Sequence, residues 1–192
     1  MKVFVFLAEG FEETEAIVTL DILKRGGVAV IAVSVTGQAV VTGAHNIPVV
    51  ADQLFEATDF SDGAMLVLPG GMPGARRLSE HKGLNALLLQ YHKEGKRIAA
   101  ICAAPFVLGG LDLLNGKRAT VYPGFEAGLK NAIPVDAPVV KDGTVITAKG
   151  PGSVFAFGLT LLAELTGKEK AGRIAADMLI EENGTLFPFP PC

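Results

Sequence analysis

Tryptophan is absent from this chain, and 192 residues include only two tyrosines, three histidines and two cysteines. Each scarcity excludes something. With two cysteines, and with no secretory leader expected at the start MKVFVFLAEGFEE, where Glu9, Glu12 and Glu13 break the apolar stretch, a disulfide framework is not expected. A cytoplasmic protein is the expectation, and the sequon Asn183-Gly184-Thr185 is then a chance match. The histidines, His45, His81 and His92, make no spaced ligand set with Cys102 or Cys192, so neither a metal nor a cofactor is expected. Basic residues are outnumbered, 17 Lys and Arg against 20 Asp and Glu, and cluster no further than short pairs such as Arg76-Arg77. Nucleic acid is therefore not an expected partner, because backbone binding needs a positive footprint. Nor is a membrane, because no apolar run is long enough to cross one. PGGMPG at 69–74 and GPGS at 150–153 lack the spacing of dinucleotide and phosphate loops.

What is present is apolar: 49% hydrophobic residues and a mean hydropathy of +0.41. Without membrane spans, that content implies a sheet buried on both faces, with some surface left to bury against another subunit. The length suits one domain over 1–192. Strands are read at 2–7, 28–35, 64–68, 97–101, 118–121 and 144–148, with 139–140 beside the last. A small β excursion spans 39–42 and 47–50. Helices are read at 12–25, 84–94, 104–114, 154–165 and 168–180; the first has Glu12 and Glu13 in its opening turn, Lys24 and Arg25 in its last, and Gly26-Gly27 beyond. The closing FPFPPC cannot be helical and is expected to lie over the surface. Alternating strands and helices indicate an α/β fold with a central, mostly parallel sheet.

In such a sheet the C-terminal strand ends meet in one crevice. Three stretches fall there: the turn from Leu7 into the first helix, Pro69-Gly70-Gly71, and Cys102. Cys102 ends an apolar strand and precedes Ala103-Ala104-Pro105, so a sharp turn would expose its sulfur at a helix start. Free N–H groups there are expected to lower its pKa from about 8.5. An isolated cysteine among alanines is equally read as a small buried hydrophobe. Glu15, one helical turn in, either reaches the crevice, where a protonated carboxyl could donate to the sulfur, or compensates the helix terminus. For Glu12 and Glu13 charge compensation is the favoured reading. Gly70 and Gly71 allow close backbone approach with N–H groups for an oxyanion, or simply make a tight loop. Tyr122, after the strand that follows the cysteine helix, is a candidate pocket residue but a poor base, with a pKa near 10.

AEGFEETEA at 8–16, VLPGG at 67–71, AAICAAP at 99–105 and KGPGSVFAFGLTLLAELTGKEKA at 149–171 run in one order across nearly the whole chain, and in them it resembles the DJ-1/PfpI superfamily, its small DJ-1-like branch. The resemblance implies a flavodoxin-like three-layer sandwich and a homodimer. It makes Cys102 the cysteine of the nucleophile elbow and Glu15 its acidic partner. Gly70 and Gly71, with Ala103, supply the backbone set against the sulfur, and Glu12 matches an acidic residue near the dimer contact. It also implies stress protection, as a cofactor-free glyoxalase or deglycase acting on small electrophilic carbonyls such as methylglyoxal. The alternative is a redox sensor or chaperone whose Cys102 is oxidised to sulfinate. Where eukaryotic members carry histidine before proline, this chain has Tyr122-Pro123. That disfavours a Cys-His protease and weakens a strong glyoxalase.

Overall fold

The computed structural model describes residues 2–182 and 185–186; FPFPPC with Cys192, and Asn183-Gly184 of the sequon, lie outside the described residues. The chain opens with β1 (Lys2–Leu7), α1 (Glu13–Arg25) and β2 (Ala29–Ser34). The hairpin strands β3 (Val40–Thr42) and β4 (Pro48–Val50) follow, then β5 (Gln53–Leu54) and β6 (Gly63–Leu68). Next come α2 (Gly74–Glu80), α3 (Lys82–Lys93), β7 (Arg97–Ile101), α4 (Pro105–Gly110), β8 (Arg118–Ala119) and β9 (Ile133–Pro134). The last described elements are β10 (Val139–Asp142), β11 (Val145–Ala148), α5 (Val154–Thr166), α6 (Lys168–Asp177) and the short β12 (Glu181–Glu182) and β13 (Thr185–Leu186).

Seven strands form the sheet in the order β10-β11-β7-β6-β1-β2-β5, parallel except for the edge pair β10 and β11. β1 shows why the fold has three layers. Its Val3, Val5 and Leu7 join one apolar cluster with α1, α5 and α6. Phe4 and Phe6 point the other way, into a cluster with α2, α3 and α4. All five are fully buried, each worth roughly 1.5–3 kcal/mol of transfer free energy. This is the expected α/β sandwich, with the small β excursion standing as the β3–β4 hairpin.

The sheet grows from β1 in both directions: β2 pairs on one side and β6 on the other. Strand order therefore reverses between β1 and β6, and at such a point a crevice opens above the C-terminal strand ends. β7 pairs with β6, so the three stretches singled out in the sequence end side by side.

Three readings need correction. The helix expected over 104–114 ends at Gly110, after which tight turns carry Leu108 to Gly116. The strand expected over 118–121 is only two residues long and pairs with β9 rather than the main sheet. Its ladder stops because the Thr120 N–H is diverted to Thr147 Oγ1 at 2.9 Å. α2, whose buried residues are only Gly74, Ala75 and Leu78, is an element the sequence reading lacks.

On the outer layer α1 packs against α5 closely enough that a Cβ on Gly158 would lie 2.7 Å from Ile22 Cδ1. Gly158→Val is expected to cost about 1–3 kcal/mol through overpacking, despite better helix propensity than glycine. Equilibrium denaturation of this variant, alone and combined with Ile22→Ala, checks the contact. The double mutant should recover part of the loss, and full additivity would place the strain elsewhere.

Candidate active site

Cys102 stands between β7 and α4 with φ +64°, a left-handed conformation uncommon for a residue with a side chain. Such a residue persists only where its surroundings hold it. Here both of its peptide groups are tied to neighbouring chain: its N–H donates to Ala148 O at 2.9 Å, and its C=O accepts from Tyr122 N at 2.8 Å. The end of β11 and the segment after β8 thus pin the turn from opposite sides. The residue is 8% exposed.

Glu15 arrives from the first turn of α1. Glu12 is the N-cap, its Oε2 accepting from Glu15 N at 2.7 Å, which bears out its reading as a helix-terminus residue. Glu15 itself is fully buried. Its Oε2 accepts from Gly70 N at 2.7 Å, Oε1 is without a hydrogen-bond partner, and the carboxyl interacts with the Cys102 thiol. Gly70 has no room for a side chain, since a Cβ would lie 2.6 Å from Cys102 Cβ and 2.7 Å from Glu15 Oε2. Gly71, at φ +86°, would drive a Cβ into Glu12 N. These glycines let a loop touch both the acid and the sulfur.

Burial, first, raises the Glu15 carboxyl to about 7; the Gly70 N–H and the Cys102 thiol oppose that rise, and the charge of Glu12 adds to it. Burial also dominates at Cys102, joined by the charge and hydrogen bond of Glu15, and pushes the thiol up to about 12. The N–H groups of Gly71 and Ala103 act in the opposite direction. The sequence-based expectation of a lowered thiol pKa is therefore overturned while Glu15 is ionised. The Gly71 amide from the loop after β6 and the Ala103 amide just before a six-residue helix do not outweigh burial beside a carboxylate. The two groups titrate as one unit, losing a first proton near 7 and a second near 12.

Cys102, Glu15, Gly70, Gly71 and Ala103 thus meet around the sulfur. Tyr122 joins them only through its N–H; its ring, 45% exposed, lies over Gly150 and beside Phe125. His92 is exposed, while His81 caps α3, its Nδ1 accepting from Leu84 N at 3.0 Å. Sequence reasoning missed the burial of Glu13, assigned only to charge compensation at the helix terminus but 6% exposed. Its carboxylate takes His45 N at 2.7 Å, Ile47 N at 3.4 Å and His45 Nδ1 at 2.7 Å. Glycine at 43 was the available signal, since a Cβ there would run into that carboxylate. Glu12, Glu13 and His45 offer ligand atoms within 4.8 Å of one another, but the Glu13 oxygens and His45 Nδ1 are already engaged in these bonds. No described helix is long and apolar enough to cross a membrane.

A model of the DJ-1/PfpI family matches residues 1–164. Protein dj-1beta of Drosophila melanogaster is 36% identical over 181 residues, covering 93% of this chain and 97% of the fly protein. Protein DJ-1 homolog B of Arabidopsis thaliana is 39% identical over 184 residues, and the match spans 95% of this chain but 42% of the plant protein. The chain thus spans about half the length of the plant relatives it matches. Among solved structures, a cysteine-to-alanine mutant of a DJ-1 superfamily protein from Salmonella typhimurium superposes with a TM-score of 0.90 at 38% identity, covering 94% of this chain and 99% of that one. Oxidized DJ-1 of Toxoplasma gondii gives 0.91 at 36% identity, with the same coverage.

The buried Glu15 has a consequence for stability. With a carboxyl that titrates at 4.5 in the open and about 7 in the fold, native protein holds the proton more tightly than unfolded chain. Its stabilisation is complete below pH 4.5 and is lost as pH rises through 7, a swing of roughly 3 kcal/mol. Glu15→Gln keeps an acceptor for Gly70 and carries no charge. Thermal melts from pH 5 to 8 should therefore show the variant gaining on wild type as pH rises. A constant difference would mean that Glu15 keeps an ordinary carboxylate pKa.

Proposed function

This chain belongs to the DJ-1/PfpI family, and from that membership and the buried Cys102–Glu15 pair we propose that it protects against reactive small molecules through the sulfur of Cys102. The observation that carries the reading is the fully buried Glu15 carboxyl in contact with the thiol, one of its oxygens left without a hydrogen-bond partner. A buried carboxylate with an unpartnered oxygen is costly, and a proton moved from sulfur to the carboxyl relieves that cost. The resulting thiolate takes the N–H groups of Gly71 and Ala103 together with the carboxyl O–H of Glu15. The reverse arrangement, thiol with carboxylate, has the Gly70 N–H and the S–H. The pair's single negative charge is therefore available on sulfur when an electrophile arrives.

With an α-oxoaldehyde such as methylglyoxal, the thiolate adds to the aldehyde carbon and Glu15 gives its proton to the new hydroxyl, forming a hemithioacetal. The carboxylate so produced takes the proton from that carbon, and an enediol forms. Proton return to the neighbouring carbon yields a hydroxyacyl thioester. Water then releases lactate and restores the thiol, so methylglyoxal plus water becomes lactic acid with no external oxidant. Glu15 serves as the single acid and base, consistent with slow turnover. A deglycase named among the family's relatives, from Pyrococcus abyssi, is 35% identical over 159 residues. We take the chain as one domain acting as a homodimer.

A second reading, a redox sensor, draws on the same pair: two equivalents of peroxide convert the thiol to sulfinate with release of two waters, and Glu15 as an O–H donor stabilises the product. The position of Tyr122, which brings only a backbone N–H to Cys102, favours it, because sensing requires no second base. Lactate formation from methylglyoxal by wild type, Cys102→Ser and Glu15→Gln separates the readings. The carbonyl reading expects turnover in wild type, none in Cys102→Ser, and about 100-fold or greater loss in Glu15→Gln. Background lactate from all three, with two oxygens added first at Cys102 under graded peroxide, leaves the sensor.

A further inference from the structure

The segment that carries Glu12 and Glu13 into α1 is gripped from two sides. On one side the loop after β6 holds it: Glu12 N donates to Gly70 O at 2.9 Å and Gly74 N to Gly10 O at 3.1 Å. On the other side the β3–β4 hairpin does. Gly10 N donates to Thr42 O at 2.8 Å, Ala44 N to Phe11 O at 2.8 Å, and Thr42 N to Glu9 Oε2 at 3.2 Å. Glu13 closes this second grip. Its buried carboxylate gathers the N–H groups of His45 and Ile47 and the His45 imidazole into one cluster. Gly43, also in the turn, is the residue whose missing Cβ lets the carboxylate in.

Such an arrangement is more than helix-terminus compensation requires. Glu12 already caps the helix, and an exposed acid serves charge compensation equally well. A carboxylate 6% exposed, with three donors drawn from a separate hairpin, fixes where the first turn of α1 sits. Glu15 lies in that turn, two residues on, and its carboxyl must reach both Gly70 N and the Cys102 thiol.

We propose that Glu13 is a positioning residue for the Cys102–Glu15 pair, acting through its clasp on the 43–47 turn with His45 as the exposed half of the latch. The inference rests on the reading of that pair given above. The charged groups meeting the clasp are His45 from the hairpin, Glu9 and Glu12 on the same segment as Glu13, and Arg77 of α2, whose Nη1 donates to Glu9 O at 3.0 Å. The side chain of His45 is 68% exposed, so its replacement leaves the core intact.

The test is the pH profile of Cys102 alkylation by iodoacetamide in wild type, Glu15→Gln, Glu13→Gln, His45→Ala and His45→Asn, each checked for folding by thermal melt. Asparagine keeps a donor for Glu13 without the charge. Positioning predicts that Glu13→Gln and His45→Ala both move the profile toward that of Glu15→Gln, with rates at pH 7 changed about two-fold or more in the same direction. His45→Asn stays near wild type. If the clasp acted only through charge, removing an anion and removing a cation would shift the profile in opposite directions, and that result overturns the proposal. Lowered melting temperatures with unchanged profiles overturn it as well, leaving a structural clasp. Should Glu13→Gln not fold, the two His45 variants decide. If wild type and Glu15→Gln share one profile, the reading of the pair itself has failed, which is a distinct outcome.

Discussion

A fully buried carboxyl with a single backbone donor is the constraint around which this molecule is arranged. Glu15 is removed from water by the first turn of α1, where its carboxyl meets the Gly70 N–H and the Cys102 thiol. Neither group is comfortable as a lone anion in that setting, since burial opposes charge on both. The arrangement is relieved by sharing one proton. Several costly features serve this contact: the left-handed backbone at Cys102, the glycines at 70 and 71, and the second buried acid at Glu13.

The sheet topology makes the contact reachable. β1 sits where strand order reverses, so the chain leaving it turns into α1 directly above the ends of β6 and β7. Gly70 comes from one of those ends and Cys102 from the other. Ala148 at the end of β11 and Tyr122 after β8 then fix the cysteine turn through main-chain bonds, the first open to any residue type and the second to any but proline. Tyr122 is thereby a structural neighbour of the sulfur whatever its side chain does.

Much of this was legible in the chain itself, for identifiable reasons. Apolar periodicity marked β1, β6 and β7 because each is buried on both faces, and glycine after Leu68 marked a close approach. Glu15 stood out only by its place one helical turn into α1. Other features leave no local mark. Thr120 ends a strand early because a threonine 27 residues away takes its N–H. The direction of the thiol's shift depended on how deeply Glu15 and Cys102 are buried together, which no spacing encodes. Glu13 reads as compensating the helix terminus, and its burial depends on a hairpin loop more than thirty residues later.

The central claim, that Cys102 and Glu15 hold one proton between them, is open to direct observation. With the Glu15 carboxyl carbon labelled, its NMR shift and the thiolate absorbance near 240 nm are followed together from pH 4 to 12. The account predicts that the carboxyl signal moves near pH 7, that the thiolate of wild type rises only toward pH 12, and that in Glu15→Gln, freed of the neighbouring charge, the thiolate appears at lower pH. A carboxyl that titrates near 4.5, with a thiol that follows separately near 9, would contradict it.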